Sequence, residues 1–141
     1  MNSAAAPLFS LTDIYNRKVS LSDYKGKVVM LEFFASWCAP CQLTAPDIRS
    51  VYEKYRSRGF VVLAISIDEG PGAASAVDAF VKEFSLPFPA MLDNGAISRQ
   101  YGVVGIPTSV IIDRHGTVMK KHIGVQPDMP AVLSREIEAL L

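Results

Sequence analysis

Both cysteines of the chain fall within five residues, Trp37-Cys38-Ala39-Pro40-Cys41, where an apolar run gives way to a helical pattern. Two cysteines at i and i+3 on a helix's first turn can close a disulfide without large strain. The outer one sits among unpaired N–H groups at the positive end of the helix dipole, which stabilises a thiolate. That setting favours a dithiol that opens and closes over a staple that stays shut. So short a loop also removes little entropy from the unfolded chain, so the pair has little to offer as a cross-link.

In the chemistry this implies, Cys38 is the nucleophile. A thiol of pKa about 8.5 is only about 3% thiolate at neutral pH, and lowering the pKa to about 7 makes roughly half of it reactive. Attack on a substrate disulfide leaves a mixed disulfide on Cys38, which Cys41, one turn deeper, resolves. Ala39 and Pro40 lie between the thiols and shape how many N–H groups face the thiolate. Trp37 either covers the site beside Cys38 or packs as a core aromatic. There is no second C-x-x-C, and only His115 and His122 remain to complete a zinc site. No metal is therefore expected, and no cofactor beyond the redox-active pair. Both histidines are read as surface or edge residues.

The 141 residues are 50% hydrophobic, enough for a sizeable core. Lys+Arg and Asp+Glu both number 14, and no block of like charge occurs. This argues against nucleic acid or an anionic membrane surface as partner. No apolar run approaches the roughly 20 residues that cross a bilayer. The opening Met1-Asn2-Ser3-Ala4-Ala5-Ala6-Pro7 lacks the basic and apolar regions of a signal peptide. A mature chain and one from which an export signal or anchor was removed both remain open. Residues 1–6 are expected to be a flexible N-terminal segment and 7–141 a single domain. Nothing in the balanced charge calls for a dimer, so a monomer is expected.

The elements that must carry the dithiol follow from periodicity. Phe9 and Leu11 predict a short leading strand and Asn16-Arg17-Lys18 a hairpin turn, with Val19 and Leu21 pointing inward. Ser22–Gly26 reads as a brief turn. Val28–Phe34 is nearly continuously apolar, the pattern of a strand covered on both faces, and only Glu32 breaks it. A long helix follows to about Arg58, with Leu43, Ile48, Val51 and Tyr55 near helical spacing and Pro46 as a kink. Gly59 stops it, and Phe60–Ile67 is a second buried strand. Asp68–Gly72 forms a loop that either borders a substrate groove or is simply solvated. Ala74, Val77, Phe80, Val81 and Phe84 mark an amphipathic helix. An extended Phe88–Leu92, a helix near Gly95–Tyr101, a strand Ser109–Asp113, a turn at Arg114–Gly116, a returning strand Thr117–Ile123 and a helix Pro127–Leu141 complete the chain. The fold class is α/β, a central mixed β-sheet flanked by helices on both faces, with an N-terminal β-hairpin extension and an inserted helix.

Trp37-Cys-Ala-Pro-Cys41, Pro46, and Gly105-Ile106-Pro107-Thr108 before a strand together resemble a thioredoxin-fold protein. The leading LFSLTDIYNRKVSLSDYKGKVVMLEFFASWCAPC, the inserted helix and GVVGIPTSVIIDRHGTV narrow the resemblance to the TlpA/ResA group, thiol–disulfide oxidoreductases that act outside the cytoplasm of bacteria. The resemblance spans nearly the whole chain from Pro7. It implies a thioredoxin-like fold with a cis peptide at Ile106–Pro107 beside the dithiol, where the exposed Ile106 backbone pairs with a substrate strand. It implies a protein disulfide as substrate, often in apocytochrome c or another exported protein, and a membrane thiol–disulfide carrier as electron donor. The location it implies is periplasmic or otherwise extracytoplasmic.

Glu32, six residues before Cys38, matches the position of the buried acid behind the dithiol in thioredoxin-like proteins. Burial raises a carboxyl pKa, making Glu32 a candidate to take the Cys41 proton; the alternative is a strand-edge acid paired with a lysine. Some ResA-type chains carry a glutamate three residues after the second cysteine, where Thr44 stands here, which leaves acid–base duty to Glu32. Three rival readings are weighed. A peroxidase of the peroxiredoxin or glutathione peroxidase type has Ala35 against it, standing where peroxiredoxins place a threonine. A copper-binding thioredoxin-fold protein has the tight cysteine spacing against it. An oxidant or isomerase keeps both cysteines and changes only the direction of electron flow.

Overall fold

In the computed structural model, which describes residues 4–141, β1 (Ser10–Thr12) and β2 (Lys18–Ser20) form an antiparallel hairpin. Its turn contains Asn16 at φ 66°, a left-handed conformation that Asn tolerates better than most residues. The Asp13 carboxylate fixes that turn by accepting from the Tyr15 and Arg17 N–H groups and from Arg17 Nε.

A 3-10 turn over Leu21–Tyr24 leads into β3 (Val28–Phe34), all seven residues of which are buried. β3 pairs in parallel with β4 (Phe60–Ser66), which pairs in parallel with β5 (Ala90–Leu92). On its other side β3 runs antiparallel to β6 (Thr108–Ile112), which turns back into β7 (Val118–Ile123). The five-stranded mixed sheet therefore has the order β5-β4-β3-β6-β7, with the uninterrupted apolar strand at its centre.

Alternation along β3 divides the core in two. Val28, Met30 and Phe34 pack against helices α1 (Ala39–Tyr55), α2 (Ala73–Glu83) and α4 (Met129–Leu140). Val29, Leu31 and Phe33 face Val19 and Leu21 of the N-terminal hairpin region and Ile97 of α3 (Ala96–Gln100). The expected two-sided α/β layering, the hairpin extension and the inserted helix α2 are all present.

Two local expectations are corrected. Leu43 does not point into the core: it is 70% exposed, and the inward stripe of α1 is Cys41, Thr44, Ala45, Ile48, Val51 and Tyr55. The stripe begins at Cys41 because the cysteine must face the sheet, which turns Leu43 out. In α2 the inward alanine is Ala73 and Ala74 is exposed, since Ala73 is the residue on the face of Val77 and Phe80. Residues 1–3 lie outside the described residues, whereas Ala5 bridges Thr117 and Ala6 N–H donates to the Gly116 carbonyl at 2.8 Å. The long first helix ends in a 3-10 turn, Arg56–Arg58, and stops at Gly59 with φ 93°.

Ile137 of α4 is fully buried against the α1 side of the sheet. Ile137→Ala is expected to cost about 2–5 kcal/mol, read as a lower denaturant midpoint at unchanged slope, with the dithiol chemistry intact.

Candidate active site

The chain passes from the end of β3 to the start of α1 through Ala35–Cys38 alone, which sets the helix N-terminus over the carboxyl end of the central strand. Cys38 is the N-cap of α1, in extended conformation, with Pro40 in the first turn, where no N–H is needed. Cys41 N–H donates to Cys38 Sγ at 3.2 Å. The two cysteines are disulfide-bonded with Cα atoms 5.2 Å apart. Once the bond is reduced, the same N–H and the helix's positive end face the Cys38 sulfur, the arrangement that lowers a thiol pKa.

A buried carboxylate holds this turn. Asp68, just beyond β4, accepts from Ser36 N–H at 2.8 Å and from Ser36 Oγ and Ser66 Oγ at 2.5 Å each. From the other side, Gln42 Nε2 donates to the Ser36 carbonyl at 3.2 Å. Ser36 is thus clamped at its N–H, hydroxyl and carbonyl, two residues before Cys38. The neighbouring Trp37 is 67% exposed, so it is not a core aromatic. Ala39 and Pro40 are exposed beside it.

The peptide Ile106–Pro107 is cis. The Ile106 carbonyl oxygen lies 4.0 Å from Cys38 Sγ, and the Pro107 carbonyl accepts from Gly124 N–H at 2.7 Å. Ile106 also lines a groove of ≈ 780 Å³ whose walls include Glu69, Gly70, Arg99 and the exposed Val104. The loop after β4 therefore does border a groove, but its Asp68 carboxylate is engaged by Ser36 and Ser66.

Behind the dithiol, Glu32 is 5% exposed. It shares with Cys41 and Thr44 a cavity of ≈ 20 Å³, space for about one water. Burial pushes its pKa up to about 8, and the Ser109 hydroxyl partly offsets that rise. Ser109 Oγ donates to Glu32 Oε1 at 2.5 Å, while Oε2 is buried with no hydrogen-bond partner. Glu32 is not a strand-edge acid paired with lysine: it sits on the central strand, flanked in register by Ala64 and Ser109. Thr44 Oγ1 is turned to the Cys41 carbonyl. Of the histidines, His122 on the edge strand β7 bonds Glu136 of α4 through Nε2 at 2.7 Å. His115 stands apart in the β6–β7 turn.

Four of the residues named from sequence, Cys38, Cys41, Glu32 and Ile106, therefore converge on one end of the sheet. Ser36, Gln42 and Ser109 were not foreseen. Ser109 carried one faint signal, a polar residue alternating with Ile111 in a buried strand. Among the described residues no group of three or more His, Cys, Asp or Glu side chains could hold a metal ion, and no helix is long and apolar enough to cross a membrane.

A C-x-x-C pair capping the helix after the central strand, beside a cis proline, defines a thioredoxin-fold dithiol protein. The chain belongs to the AhpC/TSA family, whose model matches residues 3–121. It is 40% identical over 122 residues to the thiol-disulfide oxidoreductase ResA of Bacillus thuringiensis, covering 86% of this chain and 69% of that one. It is 34% identical over 119 residues to the thioredoxin-like protein YneN of Bacillus subtilis, covering 84% and 69%. Among solved structures it resembles a Chlorobium tepidum chain provisionally assigned as the thiol:disulfide interchange protein DsbE, with TM-score 0.90 and 35% identity over 99% of this chain and 97% of that one.

Glu32 has a consequence for stability. Its carboxyl stays protonated in the folded chain up to about pH 8, whereas in the unfolded chain it ionises near 4.5. Between those values the folded state holds the extra proton, so this group makes stability fall as pH rises and adds no further slope above about 8. Glu32→Gln is expected to remove that fall and to be the more stable protein at pH 8 and above. Denaturant titrations from pH 5 to 9 check it; parallel curves for both proteins would show that Glu32 titrates normally.

Proposed function

We propose that the chain is a protein-disulfide reductase in which Cys38 attacks and Cys41 resolves, with Glu32 as the base for the second step. The observation that carries this reading is Cys38 capping α1 with the Cys41 N–H 3.2 Å from its sulfur. The Cys38 thiolate attacks one sulfur of a substrate disulfide, and the other substrate sulfur leaves as a thiolate. Cys41 gives its proton to Glu32, directly or through one water in their shared cavity, and attacks the Cys38 sulfur. The second substrate sulfur leaves as a thiolate, and Cys38–Cys41 is a disulfide again. The substrate becomes a dithiol by taking one proton released from Glu32 and one from solvent, the two electrons coming from the Cys38–Cys41 dithiol.

Trp37, Ala39, Pro40, Ile106 and Pro107 form the substrate-binding surface in this reading. A substrate strand lies along the Ile106 backbone, where the carbonyl is 4.0 Å from the reacting sulfur, and its side chains meet the exposed Trp37 and Val104. The substrates are disulfides of exported proteins, apocytochrome c among them. The electrons come from a membrane thiol–disulfide carrier, and the protein acts as a monomer in the periplasm or otherwise outside the cytoplasm of a bacterium. The names of the ResA and DsbE relatives support thiol–disulfide exchange, and the TlpA/ResA resemblance supports this direction of flow. Residues 7–141 act as one domain, since both core clusters are built on the same sheet.

Cys41→Ser should trap a disulfide-containing peptide on Cys38 as a stable adduct seen by mass spectrometry under non-reducing conditions, and Cys38→Ser should trap none. Adducts on Cys41 alone would reverse the two roles. The direction of flow is read by equilibrating the dithiol in defined thiol/disulfide buffers. A potential near thioredoxin's, about −270 mV, is expected; one near DsbA's, about −120 mV, makes the protein an oxidant or isomerase.

A further inference from the structure

The register of the sheet places one row of side chains across the helix-covered face. Ala90, Ala64, Glu32, Ser109 and His122 stand opposite one another on five successive strands. On one side of Glu32 the row is small and apolar; on the other it offers a hydroxyl. Ser109 is 2% exposed, so its hydroxyl must bond within the protein, and the bond it makes is to Glu32 Oε1 at 2.5 Å. Among the described residues no other side chain bonds that carboxyl, and Oε2 is left without a partner.

We propose that Ser109 is the positioning residue that sets the proton affinity of Glu32, and that it does so asymmetrically, occupying Oε1 so that Oε2 is the oxygen that takes the proton. A hydroxyl donating to a carboxylate makes a charge-assisted bond, stronger than the one it makes to a neutral carboxylic acid. Ser109 therefore favours the ionised form of an acid that burial drives toward the neutral one. Without it, Glu32 would hold its proton to still higher pH, and the ionised fraction available to Cys41 near neutrality would shrink. With it, Glu32 is poised close enough to neutrality to act as a base on one half of the cycle and an acid on the other. The kinetic part of this inference rests on the base role proposed above for Glu32; the effect on its titration does not.

The surroundings of Glu32 leave few competitors for that effect. α1 presents Cys41 and the uncharged Thr44, Ala45 and Ile48; β4 presents Ala64; α2 and the segment after it present Phe80, Leu86 and Phe88. Beyond Ser109, His122 of β7 is bonded to Glu136 of α4, and Glu138 of α4 accepts from the Tyr55 hydroxyl. Each of these ionisable groups already has its own partner.

The test follows the Glu32 side-chain carboxyl by carbon NMR through a pH titration of the oxidised protein, in the parent, Ser109→Ala and Ser109→Thr. Loss of the hydroxyl is expected to raise the midpoint by about one pH unit, and threonine, which keeps it, should restore the parent value. A midpoint unmoved in Ser109→Ala overturns the proposal. So does a rise of the same size in Ser109→Thr, which assigns the effect to packing. In parallel, resolution of a preformed mixed disulfide on Cys38 is timed at pH 7. Ser109→Ala should slow it about tenfold, the loss in ionised Glu32 that such a shift brings, and should add nothing in a Glu32→Gln background. If Glu32→Gln alone leaves resolution and its pH dependence unchanged, the base role of Glu32 falls, while the midpoints still decide whether Ser109 tunes the acid.

Discussion

The turn between β3 and α1 has to do two things that oppose each other. It must deliver a cysteine to the positive end of a helix, where the sulfur is stabilised as an anion. It must also hold a short stretch of backbone rigid at the rim of the sheet, where few apolar contacts are available. Packing cannot fix Ser36 and Trp37, because Trp37 is largely in solvent. Hydrogen bonds do it instead: the Asp68 carboxylate takes the Ser36 N–H and hydroxyl, and Gln42 reaches back from α1 to its carbonyl. Asp68 is itself steadied by Ser66, the last residue of β4. The position of Cys38 is in this way referred to β3 and β4, two parallel strands at the centre of the buried sheet. Everything proposed for the dithiol depends on that reference.

The second half of the site obeys a different constraint. A carboxyl on the central strand, beneath a helix and among phenylalanines, is unfavourable wherever it is ionised. The sheet accommodates it by making its neighbours small. Ala64 on one side and Ala45 from the helix above leave a space shared by Glu32 and Cys41. The two cysteines are thus governed by separate means. Cys38 Sγ accepts a backbone N–H at a helix end, and Cys41 shares a cavity with one buried acid. Substitutions behind the sheet can then alter the second step of exchange with little effect on the first.

Much of the fold was legible in the sequence because its strands are hydrophobically unambiguous. Val28–Phe34 and Phe60–Ile67 read as doubly covered strands, and the C-x-x-C marks a helix start through the chemistry it needs. The failures are equally physical. Leu43 and Ala74 were read inward because apolar residues near a helical period look alike whichever of two adjacent stripes faces the core. Register against the sheet, which sequence does not display, decides between them. Glu32 stood out as the single charge in an apolar strand. Ser109 did not, since a serine two residues beyond a proline is an ordinary start for a strand. Its role depends on the pairing of β3 with β6, and those strands are separated in sequence by most of the chain. The Ser36–Asp68 clamp was hidden for the same reason, and a loop read as either a groove border or a solvated turn carries the anchor.

The two oxygens of Glu32 bring these threads together. In a symmetric environment a buried carboxyl would hold its proton on either oxygen alike. Here Ser109 of β6 engages Oε1, and Oε2 has no hydrogen-bond partner. An acid that works in both directions of a redox cycle benefits from such bias, because the proton returns to the oxygen from which it must next depart. Strand pairing fixes the bias at no cost in mobile parts: β6 follows directly on the Ile106–Pro107 turn beside Cys38. One short segment, Ile106–Ser109, therefore reaches both halves of the site, its first carbonyl beside the attacking sulfur and its last hydroxyl on the acid behind the resolving one.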